Sequence, residues 1–174
     1  MKERGIWLNV EKWYKGDDLQ EIIQMIRETI CDDDCSPYSE KQREAWAAGF
    51  LDTQGLCERL KKSSTWVVRE NGRVIGLGSL YKDVVDLLYV HKYSRRRGVA
   101  SLLLHKLMEE AVQQRRCLLT TEASFPAVPF FESHGFAAVA EQTKVVRGIS
   151  IKNVQMCKEW HNEDDPRVKK SIKN

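Results

Sequence analysis

Residues 94–101 read SRRRGVAS, three arginines directly before a glycine, at the junction of an apolar run and a helical pattern. The first turn of a helix leaves its N–H groups without partners, and the helix dipole adds about half a positive charge there. Gly98 lets backbone approach a ligand with no Cβ in the way, and Ala100 and Ser101 are small. The chemistry this suits is anion binding, with phosphate as the natural guest. The arginines add charge and bidentate donors. A run of arginine is most often a solvated surface; the strand–arginine–glycine–helix placement is what marks this one as a site. Other phosphate patterns fit worse. No G-x-x-x-x-G-K-[ST] is present. Gly76-Leu77-Gly78 opens like G-x-G-x-x-G, but Tyr81 stands at the sixth position and the segment reads as strand interior.

Cys31, Cys35, Cys57, Cys117 and Cys157 are odd in number. They read as reduced thiols of a cytoplasmic protein. Cys31 and Cys35 bracket three aspartates, but no second Cys/His pair follows at zinc spacing, so no metal is expected. Cys117 and Cys157 read as small core residues. No signal peptide is read, and no apolar stretch approaches the ~18 residues of a membrane span.

The elements that position SRRRGVAS follow from periodicity. Residues 5–13 read as a first strand, with Asp17 or Asp18 capping a helix that carries Leu19, Ile22, Ile23, Ile26 and Ile30. Ser39 caps a second helix, SEKQREAWAAGF, and a short helical piece surrounds Cys57–Lys61. Residues 65–70 and 73–81 read as strands joined by the Asn71-Gly72 turn, and 84–90 as a buried strand. A helix follows the arginines to about Gln114; 117–123 is another buried strand. Pro126 opens a short helix ending at Gly135, and two strands meet at Arg147-Gly148. The fold class is α/β (α+β): a mixed, mostly antiparallel sheet with flanking helices and one parallel strand–helix–strand unit. With 174 residues, the expectation is one domain over 1–160 and a charged, flexible tail over 161–174.

Arg95-Arg96-Arg97-Gly98-Val99-Ala100 matches [Q/R]-x-x-G-x-[G/A] after LLYV, and PFFESHGF (129–136) matches a later F-Y-E-x-x-G-F segment. In these features the chain resembles the GCN5-related N-acetyltransferase (GNAT) superfamily, over about residues 6–160. YSEKQREAW and EQTKVVRGISIKNVQMCKEW are similar to a bacterial acetyltransferase branch.

The resemblance implies acetyl-CoA as cosubstrate and direct transfer to an amine. It places the coenzyme pyrophosphate on backbone N–H groups of Arg96, Arg97, Gly98, Val99, Ala100 and Ser101, with Arg95 at the motif's first position. It places the pantetheine arm along Leu88, Tyr89 and Val90, with the Leu88 N–H as oxyanion donor, a role that can contribute ~3 kcal/mol. Ser124, three residues before Ala127, stands where the family often has a pantetheine-holding Asn. Phe131 stands where it often has a proton-donating Tyr. A thiol pKa of ~8.5 makes that loss tolerable; Tyr89, Ser124, His134 and water are the substitutes. An acceptor amine with pKa ~10.4 needs a base. Glu122 and Asp86, acids in apolar strands, are the candidates, or else they face the sheet's wetter edge or pair with arginine. Tyr38 and Trp46 are candidate acceptor-pocket walls, or core.

Two other readings differ in class. One is a noncatalytic acyl-CoA-binding sensor on the same fold, for which Phe131 speaks. The other is a nucleic-acid binder using Arg95–Arg97, Arg115 and Arg116; a net charge of +3 with 25 acidic residues argues against it. Neither nucleic acid nor membrane is an expected partner, and the expected state is a monomer or homodimer.

Overall fold

The structure is a computed structural model and describes residues 8–13, 18–32 and 36–160. The chain runs β1 (Leu8–Lys12), α1 (Leu19–Cys31), α2 (Glu40–Ala48), α3 (Thr53–Lys62), β2 (Ser64–Glu70), β3 (Arg73–Tyr81) and β4 (Val84–Val90). It continues through α4 (Val99–Gln113), β5 (Leu118–Ala123), α5 (Val128–Ser133), β6 (Ala137–Val146) and β7 (Ile149–Glu159). The strands form one sheet in the order β1-β2-β3-β4-β5-β7-β6. Every neighbouring pair is antiparallel except β4–β5, which is parallel across α4. This is the mixed α/β arrangement that the alternation of periods implies.

Local details depart from expectation. Asp18 stands at the N-cap of α1 but makes no capping bond, because its carboxylate is taken by Arg69 of β2. Ser39 does cap α2, in a reciprocal box with Gln42. The piece expected around Cys57–Lys61 is a full helix, α3, whose cap is Asp52 accepting from the Gly55 N–H at 2.9 Å. It is the third helix before β2. Asp17, Cys35 and the tail over 161–174 lie outside the described residues.

Two cores flank the sheet. The helical stripe Ile22, Ile26 and Ile30 packs with Leu60 against Val67, Leu77 and Leu87. On the other face Leu103, Leu104 and Leu107 of α4 pack against Val68, Leu80 and Val85. Val67 and Val68 go to opposite cores because strand side chains alternate.

The Gly76-Leu77-Gly78 run lies buried inside β3, where side chains of α4 fill the space beside it. A Cβ on Gly76 would sit 2.8 Å from Val99 Cγ1 and 3.0 Å from Leu103 Cδ1. A Cβ on Gly78 would sit 3.3 Å from both Leu103 Cβ and Leu107 Cδ1. The two glycines thus let α4 lie close on the sheet, which sets where its N-terminus stands relative to β4. Gly76→Val should lower unfolding stability by about 2–3 kcal/mol through overpacking. An unchanged urea midpoint would show that α4 slides to make room.

Candidate functional site

β4 and β5 pair only at Val84–Thr120 and Val85–Thr121. Thr121 Oγ1 donates to the Val85 carbonyl at 3.0 Å, and beyond this point the strand pairing ends. Asp86 is the residue skipped in the β3–β4 register, where Leu80 faces Val85 and Ser79 faces Leu87. A bulge of this kind bends a strand and re-aims a side chain. Between the separated strands lies a cleft of about 340 Å³. Its walls include Asp86, Leu88, Tyr89 and Val90 from β4 and Glu122 and Ser124 from the β5 side. Tyr38, Arg43 and Trp46 line it from the α2 region, and Ala127 and Phe131 from the segment around α5.

At one end the cleft meets the start of α4. Gly98 is the N-cap, in the left-handed conformation at φ 80°, and no side chain caps the helix. A Cβ there would have no protein atom within 4 Å, so the space beside this backbone is open. Arg96 is also left-handed, at φ 60°. Alternation of left- and right-handed residues turns successive N–H groups into one concavity, which suits an anion. The first N–H of α4 to find an intrahelical partner is that of Leu102, bonded to the Gly98 carbonyl. The cradle thus ends at Ser101, and the residues present fit a pyrophosphate on backbone donors. Ala100 lines the cleft, whereas the Val99 side chain is buried under α4.

The arginines divide. Arg95 lines the cleft and donates to the Thr29 carbonyl at 3.2 Å. Arg96 is exposed. Arg97 is held by Glu70 of β2, with contacts of 2.5 and 3.2 Å, and does not reach over the cradle as a free cation. The Arg97 guanidinium holds the Glu70 carboxyl below its ordinary value.

Asp86 and Glu122 do line one cleft, and each has a counter-ion. Arg59 of α3 grips Asp86 with two bonds of 2.6 Å. Lys144 of β6 pairs with Glu122. Burial pushes the Glu122 carboxyl up, but Lys144, Gln142 and the Arg59 charge together outweigh it and hold the group below the ordinary carboxylate value. Arg59 and Lys144 were invisible as partners in the sequence, since they come from 27 and 22 residues away.

The proton-donor candidates separate on position. Burial raises the Tyr89 phenol, against the opposing pull of Trp46 and Arg59, so it is a poorer donor than an ordinary phenol. His134 ends α5 and is not in the cleft wall. Its Nδ1 lies 2.8 Å from the Phe130 carbonyl, which makes it a donor there, and its Nε2 accepts from Ser101 Oγ at 3.1 Å. His134 thus braces the cradle. Phe131 is buried between Phe130 and Phe136 at ring distances of 5.4 and 5.2 Å. Ser124 lines the cleft with no capping bond from its side chain.

Tyr38 is a structural tie as well as a wall. Its hydroxyl donates to the Lys152 carbonyl at 2.8 Å and accepts from the Phe125 N–H at 3.0 Å. Trp46 is half-buried and packs edge-on to Tyr38, with ring centroids 5.7 Å apart. Arg43 is a cleft residue with no anticipated role; its spacing of three from Trp46 on α2 was the available signal. Among the described residues no group of three or more His, Cys, Asp or Glu comes together to hold a metal ion, and no helix is long and apolar enough to cross a membrane.

A family profile described as an acetyltransferase (GNAT) domain matches residues 34–159. The chain is 34% identical over 143 residues to the "Uncharacterized N-acetyltransferase YafP" of Escherichia coli (strain K12), covering 82% of this chain and 91% of that one. It superposes with a TM-score of 0.83 on a GCN5-related N-acetyltransferase structure from Rhodopseudomonas palustris, "Aminotransferase, Class-II", at 29% identity over 87% of this chain and 95% of that one. PaiA N-acetyltransferase of Thermoplasma acidophilum, solved in complex with coenzyme A, has a similar fold: TM-score 0.74, 16% identity, 88% and 99% coverage.

Proposed function

The chain belongs to the GNAT acetyltransferase superfamily, and from that premise we propose that it transfers the acetyl group of acetyl-CoA directly to a primary amine of a small molecule or protein. The observation that carries this is the continuity of the splayed β4–β5 cleft with the left-handed Gly98 cradle. One site holds pyrophosphate on backbone N–H groups, and the other leaves a strand edge along which pantetheine can lie as an added strand. The relative from Thermoplasma acidophilum, which is similar in fold, is a coenzyme A complex.

In this reading the backbone from Arg96 to Ser101 binds the pyrophosphate, with Arg95 beside it. Leu88, Tyr89 and Val90 pair with the pantetheine arm, Ser124 and Ala127 border it, and the Leu88 N–H receives the developing oxyanion. The amine nitrogen attacks the thioester carbonyl carbon, the C–N bond forms, the C–S bond breaks, and the sulfur leaves as thiolate. The proton lost by the amine passes to water oriented by Glu122. The thiolate needs little help to leave, which is consistent with Phe131 in place of a tyrosine. The reaction as written calls on no metal. A single domain over 1–160, in the cytoplasm, as monomer or homodimer, completes the proposal.

Phe131 also favours a second reading, a noncatalytic acyl-CoA sensor. Coenzyme A release and thermal shift, measured together with acetyl-CoA and a broad amine panel, separate the two. Amine-dependent release above background hydrolysis supports transfer. A thermal shift with no amine raising turnover supports the sensor. No thermal shift at all defeats both.

A further inference from the structure

We infer that the acceptor is an amino-carboxylate, such as an amino acid, and that Arg43 reads its carboxylate. This rests on the acetyl-transfer reading above and names the acceptor class. Arg43 lines the same cleft as Asp86, Glu122 and Trp46. Its Nη1 donates to the Tyr38 carbonyl at 2.7 Å, which orients the guanidinium. Its Nε is buried and has no hydrogen-bond partner. No carboxylate pairs with Arg43 among the described residues.

The surroundings make this unusual. The two acids in the cleft are already neutralised, Asp86 by Arg59 and Glu122 by Lys144. The remaining unmatched charge at the α2 wall is positive. Part-burying a guanidinium without a counter-ion is unfavourable, and an anion bound at its terminal nitrogens supplies that counter-ion. Among the described residues the Nη2 donors have no protein acceptor, and a planar two-oxygen anion is the group that matches the two terminal nitrogens of one guanidinium. Carboxylate is such a group. An acceptor that sets its amine beside Glu122 and a carboxylate at Arg43 uses both ends of the cleft, and an amino acid has both groups.

The test uses the full chain, acetyl-CoA and a panel of L-amino acids, each matched with its decarboxylated amine, for example L-phenylalanine with phenethylamine and L-lysine with cadaverine. Wild type should prefer at least one amino acid over its matched amine by about tenfold or more in kcat/KM. Arg43→Gln retains a donor for the Tyr38 carbonyl but no charge; Arg43→Met removes both. In both variants the ratio should fall to within about twofold, through a raised KM for the acid. Melting temperature establishes that each variant is folded, and the acetyl-CoA KM reports separately on the cofactor end. Turnover of amines with no preference for the acid, or a preference that survives in the folded Arg43→Gln protein, overturns the inference and leaves acetyl transfer standing. Acetyl-CoA binding without turnover of any amine overturns the transfer reading, and the inference with it.

Discussion

Gly98→Asp should abolish the stabilisation of this protein by acetyl-CoA, with affinity falling by about a hundredfold or more. Gly98 holds φ at 80° without ligand, so the local cost of a side chain there, about 1–2 kcal/mol, falls on folding, and the loss of affinity comes from the ligand's side. In the proposed site the phosphate takes the open space beside its backbone, and a carboxylate there would both fill it and repel a dianion. About 2.8 kcal/mol corresponds to a hundredfold change. Gly98→Asn is the matched control, because asparagine has the same shape, tolerates the left-handed region and carries no charge. Both variants should fold, since no protein atom lies within 4 Å of the added Cβ. Thermal shift against acetyl-CoA concentration reads the outcome; retained affinity in Gly98→Asp would mean that the cradle lies elsewhere.

Glu122→Gln should lower kcat/KM by about a hundredfold, the low end of the range for a general base. The low end is expected because Lys144 holds the carboxyl below its ordinary value, which keeps it ionised but makes it a weak direct proton acceptor. Its contribution should be complete above the ordinary carboxylate range and lost as pH falls through that lowered value. The wild-type rate should thus show an acid limb that the Gln variant lacks. Asp86→Asn serves as comparison. Arg59 already occupies Asp86 with two bonds, so its replacement should act chiefly on stability. If Asp86→Asn removes turnover and Glu122→Gln does not, the base is Asp86.

Much of the frame was legible because it depends on contiguous residues. The left-handed Gly98, the small residues after it and the apolar run before it are local requirements of a strand that turns into a helix. The stripe from Leu19 to Ile30 and the turn at Asn71-Gly72 are local in the same way. Less of the first helical region was legible. Asp18 has the residue type and the position of a cap, yet the guanidinium of Arg69 competes for it from another element. Gly55 weakens the helical pattern at the start of α3; Asp52 accepting from the Gly55 N–H secures that first turn.

By itself, then, the sequence determined the α/β class, the strand–helix–strand unit and the place of the glycine turn into α4, since periodicity and backbone conformation are set over a few neighbouring residues. Only the tertiary structure decided the electrostatics of the cleft. Asp86 is turned by a bulge that exists only in the β3–β4 register. Arg97 is committed to Glu70, Asp86 to Arg59 and Glu122 to Lys144, while Arg43 has no anionic partner among the described residues. Ion pairing depends on distances of a few ångströms between elements far apart in the chain, and no spacing along one strand or helix encodes it.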